Sequence, residues 1–352
     1  MAFKFPQKLA ARFSKEIGID LGTANTLVYL KGKGIVIMEP SVVAVNQKTG
    51  QVVAVGTAAR DMLGRTPTHI TAVRPLVEGV ISDFEVTEEM LSYLIDKAQN
   101  ERMALGPRVV IGVPSGITNV EIRAVRDAAR NAGAREVFII EEPMAAALGA
   151  RLPVHEPVGT MLIDIGGGTA DIALMSLGGI VRSKNIRTAG DALNQDISSY
   201  IRNEFKILIG ERTAEEVKIA VGSAMKIPTP LQTTIRGRDL VTGLPREIVI
   251  TDADVREAIL PSVAIIVEAV KEVIETAPPE VVADVMRHGI FLTGGGALLR
   301  GLPELLAQEL KVPIHVVDDP LTTVVRGTGV VLEDLAKYRS ILVEDDDTLA
   351  GS

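Results

Sequence analysis

Residues 19–36 read IDLGTANTLVYLKGKGIV, and residues 163–181 read IDIGGGTADIALMSLGGIV. With one residue inserted in the second copy, the Ile-Asp-aliphatic-Gly opening and the Gly-Ile-Val close both align. Each stretch has one grammar: an apolar strand, an Asp, a Gly/Thr turn, a second apolar strand and another glycine turn. Two hairpins of one design, one in each half of the chain, predict two similarly folded lobes made by duplication.

Strand and helix patterns alternate between and after the copies. RVVIGVP at 108–114 is an apolar β run stopped by Pro114. A helix follows over 118–131, with Val120, Ala124, Val125 and Ala128 on one face and Gly133 near its end. A strand over 136–140 leads to an Ala-rich helix over 143–150, with Pro143 in its first turn. Past the second hairpin come helices at about 190–210 and 213–226, a β-rich stretch over 231–251 and a long helix over 252–276. A last strand over 289–293 runs into Gly294-Gly295-Gly296. This alternation predicts mixed sheets flanked by helices, with 41–76 and roughly 193–256 as insertions.

The corners of the hairpins carry chemistry. In Asp20-Leu21-Gly22-Thr23-Ala24-Asn25-Thr26, glycine permits a tight turn whose N–H groups converge on an anion, and hydroxyl and amide side chains add donors. A bare phosphate would be repelled by Asp20. Mg²⁺ with its waters, lying between carboxylate and phosphate, resolves the conflict. Asp164-Ile165-Gly166-Gly167-Gly168-Thr169-Ala170-Asp171 repeats the offer. Either corner alone reads equally as an ordinary glycine-rich hairpin; two of them, each with an Asp, describe a nucleoside triphosphate held from two sides. The third element is Thr293-Gly294-Gly295-Gly296-Ala297-Leu298-Leu299. There a strand ends, three glycines remove side chains so that a nucleoside can lie on backbone, and Ala-Leu-Leu begins a helix. Close helix–strand packing would use the same glycines.

In this order the three elements resemble the phosphate-1, phosphate-2 and adenosine motifs of the actin, heat-shock chaperone and sugar kinase ATPase superfamily. Val113-Pro114-Ser115 with Glu141-Glu142-Pro143-Met144, and Gly327-Thr328-Gly329-Val330, look like its connecting segments. IDLGTANTLVY, EPSVVAV, VPSGIT, EEPMAAALGA, IDIGGGTADIA and LTGGGALLRGL resemble the MreB family of bacterial actins in particular, over residues 16 to about 335.

That resemblance implies an α/β protein of the actin-like ATPase fold: two duplicated ribonuclease-H-like lobes around a nucleotide cleft, each with a small inserted subdomain. The implied division is subdomain IA at 16–43, 77–156 and 326–343, IB at 44–76, IIA at 157–192 and 257–325, and IIB at 193–256. A basic leader (1–15) and an acidic tail (344–352) flank it. ATP or ADP with Mg²⁺ is the implied cofactor. Thr23, Ala24, Asn25, Gly166, Gly167 and Gly168 would touch phosphates, and Asp20 and Asp164 would hold the metal through water. Glu142 and Thr169 would position the attacking water, with Glu142 the candidate base. Glu215, Glu216, Val217, Lys218, Gly295, Gly296, Ala297 and Leu298 would embrace adenosine. On spacing alone Glu142 is equally a carboxylate favoured at a helix N-terminus.

Composition narrows the partners. A net charge of −8 disfavours nucleic acid, which needs a basic surface, and 3% aromatic residues leave little for base stacking. With no cysteine, thiol catalysis and thiolate metal sites are excluded. No Gly-Lys-Ser/Thr phosphate loop and no Gly-x-Ser-x-Gly elbow occur, and the histidines show no metal spacing. No apolar run reaches the length of a membrane span, and the opening residues lack a secretory signal. A cytoplasmic protein, peripheral at the inner face of the plasma membrane, is the expectation.

In the leader, Lys4, Lys8 and Arg12 are spaced by four, as are Phe5, Leu9 and Phe13, with Phe3 adding bulk. A helix there would lie on a lipid surface; a leader without structure is the other reading. Met103 and Leu105, beside Arg102, offer either a second insertion point or an inward-packed connector. The family implies self-assembly into protofilaments and partnership with membrane proteins of the cell-wall elongation machinery, setting rod shape with slow ATP hydrolysis. A small-molecule (sugar or acid) kinase or a chaperone-type ATPase are the alternatives on this fold. A kinase would call for a dedicated catalytic Asp and larger insertions, and a chaperone for a peptide-binding domain after residue 345.

Overall fold

A computed structural model describes residues 15–99 and 105–343. The leader residues Phe3, Phe5, Leu9 and Phe13, together with Met103 and the acidic tail, lie outside them. The chain divides into two compact units. One runs from the first described residue to 156 and takes in 177–179 and 322 onward; the other holds 157–176 and 180–321.

The first unit is built on β1 (Glu16–Leu21), β2 (Asn25–Leu30) and β3 (Gly34–Pro40). A three-stranded insertion follows, β4 (Val43–Asn46), β5 (Val52–Val55) and β6 (Ile70–Val73), with the single turn α1 (Thr57–Arg60). The tight hairpin β7 (Leu76–Val77) and β8 (Val80–Ile81) leads to α2 (Phe84–Gln99). Then come β9 (Arg108–Val113), α3 (Asn119–Asn131), β10 (Glu136–Glu141) and α4 (Glu142–Gly149). The main sheet has the order β10-β9-β1-β2-β3, with β1, β9 and β10 parallel and β2 and β3 antiparallel.

The second unit repeats the plan. β11 (Thr160–Ile165), β12 (Ala170–Ser176) and β13 (Gly179–Ile186) form its hairpin and return strand. After α5 (Gly190–Tyr200) comes the insertion: β14 (Ile207–Leu208), α6 (Glu211–Val221), β15 (Gln232–Asp239) and β16 (Pro245–Thr251). Next are α7 (Asp252–Glu275), α8 (Pro279–His288), β17 (Ile290–Thr293), α9 (Leu302–Leu310) and β18 (Ile314–Val316). The order β13-β12-β11-β17-β18, with β11, β17 and β18 parallel, matches the first sheet strand for strand. This is the duplication that the two hairpins predict. All six residues of β11 are buried, as expected for a central strand covered on both faces.

Sequence-coded caps fix several helices. Thr118 and Glu121 form a capping box on α3, as Thr251 and Asp254 do on α7. Other elements depart from expectation. Val120 is not on the core face of α3: it is 79% exposed, while Val125, Ala128 and Ala129 are buried. The helix read over 190–210 is α-helical only to Tyr200; a π turn spans Ile201–Phe205 and ends on left-handed Lys206, φ 56°. The helix read to 226 stops at Val221, because the chain turns extended at Gly222, packed against Leu299 and the Lys218 carbonyl.

The chain returns to the first unit with α10 (Thr323–Glu333), which crosses α4 at backbone distance. A Cβ on Gly149 would collide with the Thr323 carbonyl, and one on Gly327 with the Ala145 carbonyl. Lys31, in the β2–β3 turn, donates to the Leu332 carbonyl at 2.6 Å, a cation where the helix end is negative. The Ala-rich EPMAAALG and the GTG of α10 are therefore a packing code: only small residues allow this approach. Gly327→Ala should lower stability by about 1–3 kcal/mol through overpacking. Gly210→Ala, where an added Cβ meets nothing within 4 Å, should stay within about 1 kcal/mol. Urea unfolding of both variants checks this.

Candidate functional site

In the first corner, β1 ends one residue past Asp20, and Asp20 stands opposite Gly112 of β9 in the parallel register. Glu142 opens α4, and its Cγ lies 3.4 Å from where a Cβ of Gly112 would be. A side chain at residue 112 would press first on Val324 of α10, at 3.0 Å, and would only touch Glu142 beside the end of β1. Both carboxylates gather at the same end of the sheet, within one unit. Glu142 keeps its favourable place at a helix N-terminus as well, so the structural and catalytic readings coexist.

Burial pushes the Asp20 carboxyl up to about 7, and among the described residues no Lys or Arg pairs with it. A desolvated carboxylate without a cationic partner, at a turn rich in N–H groups, suits a hard cation with oxygen ligands. The residues present therefore fit Mg²⁺ held through water. Next to it, Thr23 is buried and its Oγ1 accepts from Gly79 N–H at 3.1 Å. Ala24 is half-buried and Asn25 exposed. The amides of Thr23 and Ala24 have no acceptor among the described residues.

In the second corner, Gly166 N–H donates to the Thr169 carbonyl at 2.9 Å, closing the turn. The amides of Gly167 and Gly168 find no acceptor among the described residues. Asp164 and Thr169 are both buried. Asp164 faces Asp171 on β12 and Thr293 on β17, and Asp171 accepts from Asn185 Nδ2 at 2.9 Å.

The third element behaves differently from expectation. No helix starts at Ala297: Gly295–Leu298 is one 3₁₀ turn, Leu299 is extended, and α9 begins at Leu302 after Gly301, φ +74°. Gly294 has φ +77°, and a Cβ there would strike the Asp164 carboxylate and the Ile165 carbonyl; one on Gly296 would strike the Ile165 side chain. These two glycines serve close packing on the second corner, while Gly295 is exposed. Ala297 is buried and Leu298 is 58% exposed.

The candidate adenosine groups on α6 split by face. Glu215 and Glu216 are exposed, with Glu216 bound to Arg212 at 3.0 Å, whereas Val217 turns into the core. Val217 thus turns its side chain into the core rather than outward with its neighbours. Lys218 reaches back to the Gly190 carbonyl at 2.9 Å. Arg300 ties the glycine turn to α6, donating to the Ile219 carbonyl at 3.0 Å and the Gly222 carbonyl at 3.3 Å. Sequence reasoning assigned no role to Arg300, Gly79, Ser41 or Gly190, since each acts on a loop distant in the chain.

The family described as MreB/Mbl protein matches residues 14–340. The chain belongs to the MreB/Mbl family. It is 51% identical over 325 residues to the cell shape-determining protein Mbl of Bacillus subtilis, covering 92% of this chain and 98% of that one. With the cell shape-determining protein MreB of Escherichia coli it shares 49% over 345 residues, 97% of this chain and 99% of that one. Crystal structures of MreB5 of Spiroplasma citri superpose with TM-scores of 0.88 bound to ADP and 0.89 bound to AMPPNP, at 40% identity over 93% of this chain and 98% of that one. A MamK double helical filament matches at TM-score 0.78 over 91% of this chain and 99% of that one, with 22% identity, a likeness of fold alone. The fold is that of the actin-like ATPases.

The raised Asp20 pKa has a signed consequence. An unfolded Asp ionises near 3.8 and the folded one near 7, so the folded state holds an extra proton in between. The contribution of Asp20 to stability is greatest below the lower value and falls as pH rises through this window. Nucleotide-free Asp20→Asn should therefore melt several degrees above the unchanged protein at about pH 8, the gap closing towards about pH 5. The same variant should lose most of the thermal stabilisation given by Mg²⁺-ATP. Melting curves with and without nucleotide read both effects.

Proposed function

We propose that this chain is an ATP-dependent, filament-forming bacterial actin, a membrane-associated scaffold that sets rod cell shape by organising cell-wall synthesis. One observation carries the reading: the same hairpin occurs twice, and in each copy the first strand closes with an Asp beside turn amides that lack acceptors among the described residues, in a chain of the MreB/Mbl family. A polyphosphate supplies the acceptors, and Mg²⁺, when bound, would neutralise charge between phosphate and carboxylates.

In this reading Thr23, Ala24 and Asn25, with Gly166, Gly167 and Gly168, hold phosphates. Asp20 and Asp164 orient the metal's waters. Glu142 takes the proton of the attacking water, and Thr169 helps to orient it. Catalysis needs only positioning and charge, and slow hydrolysis serves as a timer on filament contacts. Gly295, Leu298, Glu215, Glu216 and Lys218 border the nucleoside, with Gly296, Ala297 and Val217 as the packed floor beneath. The insertions over 44–76 and 193–256 are the small subdomains IB and IIB, on IA (16–43, 77–156, 326–343) and IIA (157–192, 257–325). Partners are further copies of the chain, the inner face of the plasma membrane and membrane proteins of the elongation machinery.

Sedimentation with ATP, ADP or no nucleotide, alongside phosphate release, tests the core of this reading. Assembly should depend on nucleotide. Glu142→Gln should slow phosphate release about 10²-fold or more while leaving nucleotide binding in place. A protein that stays in solution under every condition yet phosphorylates a sugar would reverse the assignment. Attachment to lipid is tested separately by vesicle co-sedimentation. Removing residues 1–15, or changing Met103 and Leu105 to Ser, should each weaken pelleting with anionic vesicles; if neither does, the lipid contacts lie elsewhere.

A further inference from the structure

The two corners share a device that their glycines do not explain. In each, carbonyls of the turn are tied from behind by residues that follow the third strand of the hairpin. Ser41, just past β3, gives its hydroxyl proton to the Gly22 carbonyl at 2.5 Å and its N–H to the Ala24 carbonyl at 3.0 Å. Gly190 and Asp191, which follow β13, donate N–H to the Gly166 carbonyl at 3.1 Å and the Gly167 carbonyl at 2.8 Å. A C=O and the next residue's N–H lie in one planar peptide and point opposite ways. Holding the Gly22 carbonyl outward therefore fixes the direction of the Thr23 amide. Holding the Gly166 and Gly167 carbonyls fixes those of Gly167 and Gly168. These are the amides without acceptors.

The first corner needs a side chain for this task, and the side chain is itself held. Ser41 has one hydroxyl proton, committed to Gly22. Its 2.9 Å contact with Thr26 Oγ1 is thus one in which Thr26 donates. Both residues are fully buried, so water does not compete for the relay. A glycine turn lacking such a tie can flip a peptide and present a carbonyl dipole to the anion.

We propose that Ser41, through the relay Thr26→Ser41→Gly22, is the positioning residue of the first phosphate corner, acting on nucleotide phosphates without touching them. The proposal rests on the nucleotide-binding reading above and adds a residue to it. Mg²⁺-ATP and adenosine are titrated, adenosine by competition, against Ser41→Ala, Thr26→Val and Thr26→Ser, with melting curves as a check on folding. Ser41→Ala should weaken Mg²⁺-ATP roughly tenfold, and Thr26→Val, which keeps shape but not the hydroxyl, about two- to threefold. Thr26→Ser should bind as the unchanged protein does, and adenosine affinity should hold throughout. A folded Ser41→Ala with full Mg²⁺-ATP affinity, or an equal loss for adenosine, overturns the proposal. If Ser41→Ala does not fold, the Thr26 pair decides: equal affinity for the Val and Ser forms overturns it. An unchanged protein that binds no nucleotide removes the underlying reading itself, and the proposal with it.

Discussion

A half-buried carboxylate at the end of a central strand, Asp20, is the constraint from which the rest of this structure follows. Moving Asp20 out of water costs enough to shift its ionisation to about 7, and nothing basic among the described residues offsets that cost. The second sheet sets Asp164, which is buried, at the corresponding point. In the proposed reading, a magnesium-bound polyphosphate would answer both the Asp20 carboxylate and the turn amides beside it.

Around these points the fold supplies rigidity rather than reach. Gly112 lets Val324 of α10 press on the sheet, and Gly294 and Gly296 let backbone press against Asp164 and Ile165. Lys218 and Arg300 fasten α5, α6 and the glycine turn to one another through backbone carbonyls. Each of these bonds from a cation to a carbonyl is charge-assisted and stronger than a neutral one.

What was legible in the sequence was local. The Asp-x-Gly corners and the Ala-rich helix after Pro143 each declare themselves within a few residues, and duplication gave the sheet plan. What was not legible came from contacts between distant segments. Val120 continues the apolar spacing of α3 but is exposed in the first turn of the helix. Ala297-Leu298-Leu299 has good helix formers, yet the 3₁₀ turn stops at Leu298, and left-handed Gly301 and the bond from Ala224 N–H to the Arg300 carbonyl follow the extended Leu299. Val217 lies on the one stripe of α6 that the core claims, though its neighbours face solvent. Ser41 sits within EPSVVAV, legible as a motif but without a role, and only the fold brings it behind Gly22.

The crossing of α4 and α10 carries one more implication. Side chains at most helix contacts can change rotamer and so absorb a small displacement. Here carbonyl faces Cα hydrogen across Gly149, Gly327 and Ala145, and there are no torsions to relax. Backbone, rather than side-chain rotamers, therefore joins the helix that Glu142 opens to the helix whose last turn Lys31 holds from the loop linking β2 to β3.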